Sequence, residues 1–380
     1  MKPESPNAHP SSLARSSPKP LDATFALLLI CGQLFLFATF LRRADKKTSD
    51  YPGYYSVARL WERGDNPYSV AAQCKELTKV IGNSCFLLAH PPILLPLLSL
   101  VSGDDFTASY WRWFSILACF LIASFCLVWL ISGTAFGSAQ SIIFYPTVLS
   151  VFFGNDTVFV LLGVTVWAYL LLRQGEKFKG QDMLAGAAIA LTAVKPQLTI
   201  MLAIPLLFAK TRVFLWFCVA GLILTLYSLS LVGVEGFKGI VEITRLMATG
   251  KGYGINQEYM INTTGWLVRV GLSPFWSWPL YVSAIVALSV LWKRYGVNVA
   301  TISLSLLAAL FFVPHVHAYD LALLAIPLVF AHRLAPLVAS LIMIITIPIS
   351  LGYIGAFVIL TPLAVHYCRS LSKVQKRAAS

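Results

Sequence analysis

Charge is what this sequence has least of. Asp, Glu, Lys and Arg make up 12% of its 380 residues, against roughly 25% in a soluble globular domain. A chain this poor in charge cannot cover itself with polar surface, which excludes a water-soluble fold. Acidic residues are the scarcer sign, 16 against 29 basic. The basic excess lies in tails and short loops, where Lys and Arg set orientation against a membrane, so it is no nucleic-acid signature. The seven cysteines are dispersed, with no Cys-x-x-Cys and no His–Cys cluster to suggest a metal. Most are small hydrophobes in apolar segments. No h-region or cleavage site precedes residue 23, which argues against a removed signal peptide.

What is abundant is hydrocarbon: 58% apolar residues and a mean hydropathy of +0.75. Apolar segments fall at 23–41, 86–101, 107–131, 138–153, 157–172, 183–208, 213–232, 277–292, 297–313, 318–331, 335–350 and 352–368. They predict an all-α, polytopic membrane protein of about 10–12 transmembrane or re-entrant helices. Residues 1–22 read as a disordered cytoplasmic tail, 23–368 as one membrane domain with long external loops at 42–85 and 233–276, and 369–380 as a cytoplasmic tail.

The positive-inside rule puts Arg173, Lys177, Lys179, Lys210, Arg212, Lys293, Arg294, Arg333 and the C-terminal cations on one side. Segment 183–208 then begins and ends on that side, with Lys195-Pro196 at its middle, where proline breaks a helix. Two half-helices rising to Lys195 and returning satisfy both facts. Pro91, Pro92 and Pro96 make 86–101 a re-entrant or partial span by the same reasoning. The alternative is that both segments cross fully. Asp50, Asp156, His315 and His317 are expected on the opposite, external face, with Lys195 pointing toward it.

Asp50 opens the run Asp50-Tyr51-Pro52-Gly53-Tyr54-Tyr55 in the first external loop. An ionised carboxylate there can take a proton from a hydroxyl nucleophile. It can equally be an N-cap, since Tyr54, Val57, Ala58 and Trp61 recur at helical spacing behind it. Lys195 between apolar half-helices needs a partner or water; a phosphate contact and a pairing with Asp156 are both open. His315 and His317 flank a span boundary beside Tyr319 and Asp320, and Asp320 is placed to orient the His317 ring. Cys74 and Cys85 share the external loop, as a disulfide or as two free thiols. Arg42, Arg43, Lys46 and Lys47 are interfacial anchors or attractors of an anionic headgroup. Trp61, Tyr68 and Tyr253 are candidates for stacking on a sugar.

Several of these runs, taken in order, resemble glycosyltransferase family 87, which contains polyprenol-phosphate-mannose-dependent mannosyltransferases of the GT-C fold. The first is the Asp50 run with Gly64-Asp65-Asn66-Pro67-Tyr68. His90-Pro91-Pro92, Gly154-Asn155-Asp156, Ala185-Gly186, Lys195-Pro196, Asn262-Thr263-Thr264-Gly265 and Pro314-His315-Val316-His317 follow. Where the family shows Gly-Gln-x-Asn, this chain has Gly154-Asn155-Asp156, without the Gln. The resemblance implies a membrane enzyme of the cell envelope that moves a hexose, mannose by default, from a polyprenyl-phosphate donor to a glycolipid or glycan hydroxyl. Asp50 is then the general base, and His317 or His315 faces the donor phosphate or assists proton transfer. Tyr54, Tyr55, His90, Arg43, Asp156 and Lys195 are expected around the substrates. No resident cofactor is implied, although a Mg²⁺ held by donor phosphate and Asp156 stays open. A transporter built on broken helices and a non-catalytic lipid-binding scaffold are the rival readings.

Overall fold

The computed structural model describes residue 31 and residues 49–82, 85–173, 178–248, 257–331, 335–347 and 351–379. The predicted tail 1–22, the span 23–41 apart from Cys31, and Arg42, Arg43, Lys46, Lys47, Lys177, Tyr253 and Arg333 lie outside them. Every regular element among the described residues is helical. Among the described residues, four helices are long and apolar enough to cross a bilayer: Phe106–Ser132, Thr211–Met247, Pro274–Tyr295 and Gly352–Lys373. The first is capped at Asp105, whose carboxylate accepts from the Thr107 and Ala108 amides, and stops at left-handed Gly133. Its 27 residues span about 40 Å, enough for a ~30 Å hydrocarbon layer. Leu215, Leu222, Leu226, Val282 and Val290 remain exposed on these long helices, as lipid-facing side chains do.

Shorter helices fill the interior. Thr157–Leu172 has 16 residues, about 24 Å, and is sealed by its neighbours; Val160, Val164 and Trp167 are fully buried. The chain after it turns back on itself. Gln181 reaches the Leu170 carbonyl at the far end of that helix, and Gly163 faces Thr192 and the Ala188 carbonyl. Lys195 arrives at Thr157, the near end. Pro196–Ala203 and Leu206–Ala209 then lead back, so that Val213, Trp216 and Phe217 surround Gly186. A Cβ at Gly186 would stand 2.6 Å from the Phe217 nitrogen; only glycine permits that approach. Lys195-Pro196 is therefore the tip of a helical hairpin.

Four segments take a form that the sequence pattern does not resolve. Segment 138–153 is not one helix but Ala135–Ile142 and Tyr145–Phe152, bent by 54° where Pro146 opens the second piece. The external loop predicted from 233 begins as helix: Thr211–Ala248 continues through a kink at Gly233 (φ 64°) into a charged amphipathic stretch. Segment 318–331 is a 3-10 turn, Ala318–Leu324, followed by Ala325–Phe330, too short to cross. The last helix also runs on through the predicted tail to Ala379.

Candidate active site

At the end of the bundle marked by Lys195, five separate segments meet, one of them carrying His90. The first enters on Asp50, whose backbone N–H bonds the Phe153 carbonyl at 3.0 Å. Helix Tyr51–Glu62 starts there, but Asp50 makes no side-chain cap; the capping alternative is not realised. Its carboxylate instead accepts from Asn155 Nδ2 at 2.7 Å. Tyr54, one turn on, sets its hydroxyl against the Asp156 amide at 3.4 Å and its ring beside His90.

The second segment, 152–157, is held by helix Phe106–Ser132. Tyr110 donates to the Phe152 carbonyl at 2.7 Å and Trp113 to the Gly154 carbonyl at 2.8 Å. Gly154 is left-handed (φ 66°) with Tyr51 Cβ 3.1 Å from where its own Cβ would be. This turn presents Asn155, Asp156 and Thr157 inward, all three buried.

Lys195 and the 313–320 segment complete the cluster. The Lys195 ammonium contacts Asp320 Oδ1, Thr157 Oγ1 at 2.7 Å, Asn155 Oδ1 at 3.3 Å and Asp156 Oδ1 at 3.6 Å. It also sits 5.1 Å from the centre of the Tyr319 ring. Asp156, one of the two partners the sequence leaves open, is thus within ion-pair distance, and Asp320 is nearer. Asp320 reaches His317 through the backbone N–H at 2.8 Å, where a contact to the ring was predicted; Lys195 and Thr157 engage its other oxygen. The rings of His315 and His317 stack edge-on at 4.7 Å, and His315 is within electrostatic reach of His90 and Lys195. Asn262 donates to the Val313 carbonyl and Ile261 N–H to the Val316 carbonyl at 3.1 Å, which anchors this histidine-bearing stretch.

Exposure divides the cluster. Asn155, Asp156, Thr157, Lys195 and Asp320 form a sealed floor, while Asp50, His90, His315, His317 and Tyr319 remain partly accessible. His90 sets Nδ1 against Asp156 Oδ2, leaving its Nε2 edge directed away from that carboxylate. Desolvation pushes the Asp50 carboxyl above its ordinary range, opposed by the Asn155 hydrogen bond and the charge of Lys195. No group of three or more His, Cys, Asp or Glu among the described residues has metal-binding geometry.

Other expected site residues lie elsewhere. Tyr55 is buried and donates to the Gly103 carbonyl at 2.7 Å. Tyr68 is buried and donates to the His90 carbonyl at 2.8 Å, so its ring is not open to a sugar; Trp61, partly buried, donates to the Leu231 carbonyl at 3.0 Å. Arg43 falls outside the described residues. Cys74 and Cys85 are joined as a disulfide, which closes the loop that delivers His90. Beside it, Gln73 pairs with Leu88 through both its amide oxygen (2.9 Å) and nitrogen (3.1 Å). A groove of about 590 Å³ runs along Val234, Phe237, Val241 and Leu246, and no residue of the cluster lines it. Sequence reasoning overlooked Asn155 and Thr157 as members of the site; the signal was an Asn-Asp-Thr run between two apolar segments.

A family model described as glycosyltransferase family 87 matches residues 87–327, well over half of the chain. The chain belongs to glycosyltransferase family 87. It is a membrane glycosyltransferase, and a donor and an acceptor must meet on it. No curated protein and no solved structure matches it at a significant level. The matched span holds His90, Asn155, Asp156, Lys195, His315, His317 and Asp320, but begins after Asp50. The bonds from Asp50 to Phe153 and Asn155 place that carboxylate on the matched region of this family 87 enzyme.

Proposed function

We propose that the protein transfers a hexose from a polyprenyl-phosphate sugar to a hydroxyl of a glycolipid or glycan, with inversion and with Asp50 as general base. The observation that carries this is selective access. Of the three carboxylates in the cluster, Asp156 and Asp320 are sealed at 0% and 2% exposure and both lie within ion-pair distance of Lys195. Asp50 alone is partly open and spent on neither an ion pair nor a cap.

In this reading the acceptor oxygen attacks the anomeric carbon from the face opposite the phosphate. Its proton passes to Asp50 as the O–C bond forms. The C–O bond to phosphate breaks and its electron pair leaves with the lipid phosphate, whose charge needs positive or N–H partners. His90, His315 and His317 are the accessible candidates for that task. Lys195 acts from beneath, because Asp320 and its polar neighbours already occupy its ammonium. The Asp156 carboxylate is likewise occupied, by His90 and Lys195, so no metal is routed through it. Mannose is the sugar implied by the family resemblance, and the basic loops favour an active site on the outer face of the cytoplasmic membrane.

The test is transfer by purified, reconstituted protein from a panel of radiolabelled polyprenyl-phosphate hexoses to membrane glycolipid acceptors. Product of inverted anomeric configuration is expected. Transfer from nucleotide sugars alone would overturn the donor class, and a retained configuration would overturn the single-displacement step.

A further inference from the structure

The side-chain amide of Asn155 has only one workable orientation. Its oxygen faces the Thr157 backbone N–H at 2.9 Å and the Lys195 ammonium at 3.3 Å, two groups that can only donate. An amide nitrogen there would set N–H against N–H, so the usual oxygen–nitrogen ambiguity of asparagine is resolved by its surroundings. The nitrogen must then point at Asp50, where it donates to Oδ2 at 2.7 Å. Asn155 is 3% exposed, and Asp50 is pinned from behind through its own N–H to Phe153. One oxygen of Asp50 is thus committed and the other is not.

We propose that Asn155 is the positioning residue of the reaction, reserving Asp50 Oδ1 as the oxygen that receives the acceptor proton. This rests on the reading of Asp50 as base. The acceptor O–H bond breaks, its electron pair goes into the new bond to the anomeric carbon, and the proton settles on Oδ1. A proton on Oδ2 would meet the amide N–H head-on. The same N–H favours the charged form of the carboxylate, because it bonds the ionised oxygen more strongly. Thr157, through Asn155 Oδ1, and Lys195 hold the amide from turning over. Lys195, Asp156, His90, Tyr54 and Tyr319 also act on the Asp50 charge, and the Asn155 substitutions leave each of these groups present in the protein.

Two substitutions separate the roles of the amide. Asn155→Asp keeps the oxygen that faces Lys195 and Thr157 but removes the donor to Asp50 and adds a like charge. Asn155→Ala removes both ends without adding charge. The measurement is kcat/KM against pH for the reconstituted enzyme with a polyprenyl-phosphate sugar. We expect the acid limb to move to higher pH by about one to two units, further for Asn155→Asp than for Asn155→Ala, with activity partly recovered once Asp50 is ionised. A purely structural role would lower activity equally at all pH values, and an unmoved limb overturns the proposal. If Asn155→Ala does not fold, Asn155→Ser provides the second arm. Its hydroxyl keeps a donor in the gap, so its limb is expected between wild type and Asn155→Asp; coincidence with Asn155→Asp overturns the proposal. Asp50→Asn is run alongside. If it stays active, the underlying assignment of the base fails; if it is dead while the Asn155 variants show an unmoved limb, only the present inference fails.

Discussion

Lys195 and Asp320, 125 positions apart, meet as a buried ion pair at the tip of the helical hairpin. The three ammonium hydrogens have Asp320, Thr157 and Asn155 to go to, which leaves none for a lipid phosphate. The pair fixes the hairpin against the segment that carries His315 and His317.

Removing that lysine should therefore cost stability before it costs substrate affinity. Lys195→Met leaves Asp320 and Asp156 buried with less compensation, an expected loss of about 3–5 kcal/mol. Thermal unfolding in detergent should show the loss, and adding Asp320→Asn should recover part of it. An unchanged Tm with a raised donor KM would mean that the lysine touches phosphate after all.

Asp50→Asn should separate activity from stability. Loss of a general base lowers turnover by about 10²–10⁴-fold. Burial raises the folded pKa of Asp50, so its stability contribution is full below the unfolded pKa and is lost as pH rises through the folded one. Near neutral pH the ionised carboxylate thus opposes folding, and the neutral amide should leave Tm equal or higher. A clear drop in Tm would contradict this account.

The same burial sets the pH dependence of the wild-type enzyme. A base works only when ionised, so activity should decline as pH falls through a value above the ordinary 3.8 of an aspartate. An acid limb of kcat/KM at or below that value would show that the group controlling it is not this desolvated carboxylate.

Breaking the Cys74–Cys85 bridge should loosen the delivery of His90. The sequence separation is 11, and closing a loop of that size contributes about 2–3 kcal/mol. The double variant Cys74→Ser/Cys85→Ser should unfold at lower temperature and lose donor affinity more than turnover. Equal Tm for bridged and unbridged protein would remove the bridge from the stability account.

Much of this arrangement could be read from residue order. The hairpin tip was visible because Pro196 breaks a helix and flanking cations ask both ends to share a side. The bend at Pro146 carried the same signal, yet the apolar run around it hid the break. The part of helix Thr211–Ala248 beyond the kink at Gly233 reads as loop in the sequence because Glu235, Lys238, Glu242 and Arg245 dilute its hydrophobicity, although Val234, Phe237 and Val241 keep helical spacing. For Lys195 the sequence leaves a phosphate and Asp156 open as partners; Asp156 lies within 3.6 Å, and Asp320 is nearer, because sequence separation says nothing about which of two carboxylates a fold will bring closer. Asn155 drew no attention as a functional residue, since a neutral amide becomes conspicuous only when its neighbours dictate which end faces where.

The hydrogen bond from the Asp50 main chain to Phe153 has a practical use. That tether belongs to the peptide unit and not to the carboxyl group, so an Asp50→Asn chain keeps the residue in its place while withdrawing its proton acceptor. Such a protein would be a substrate trap: donor and acceptor could sit on it together, unreacted, long enough to be imaged.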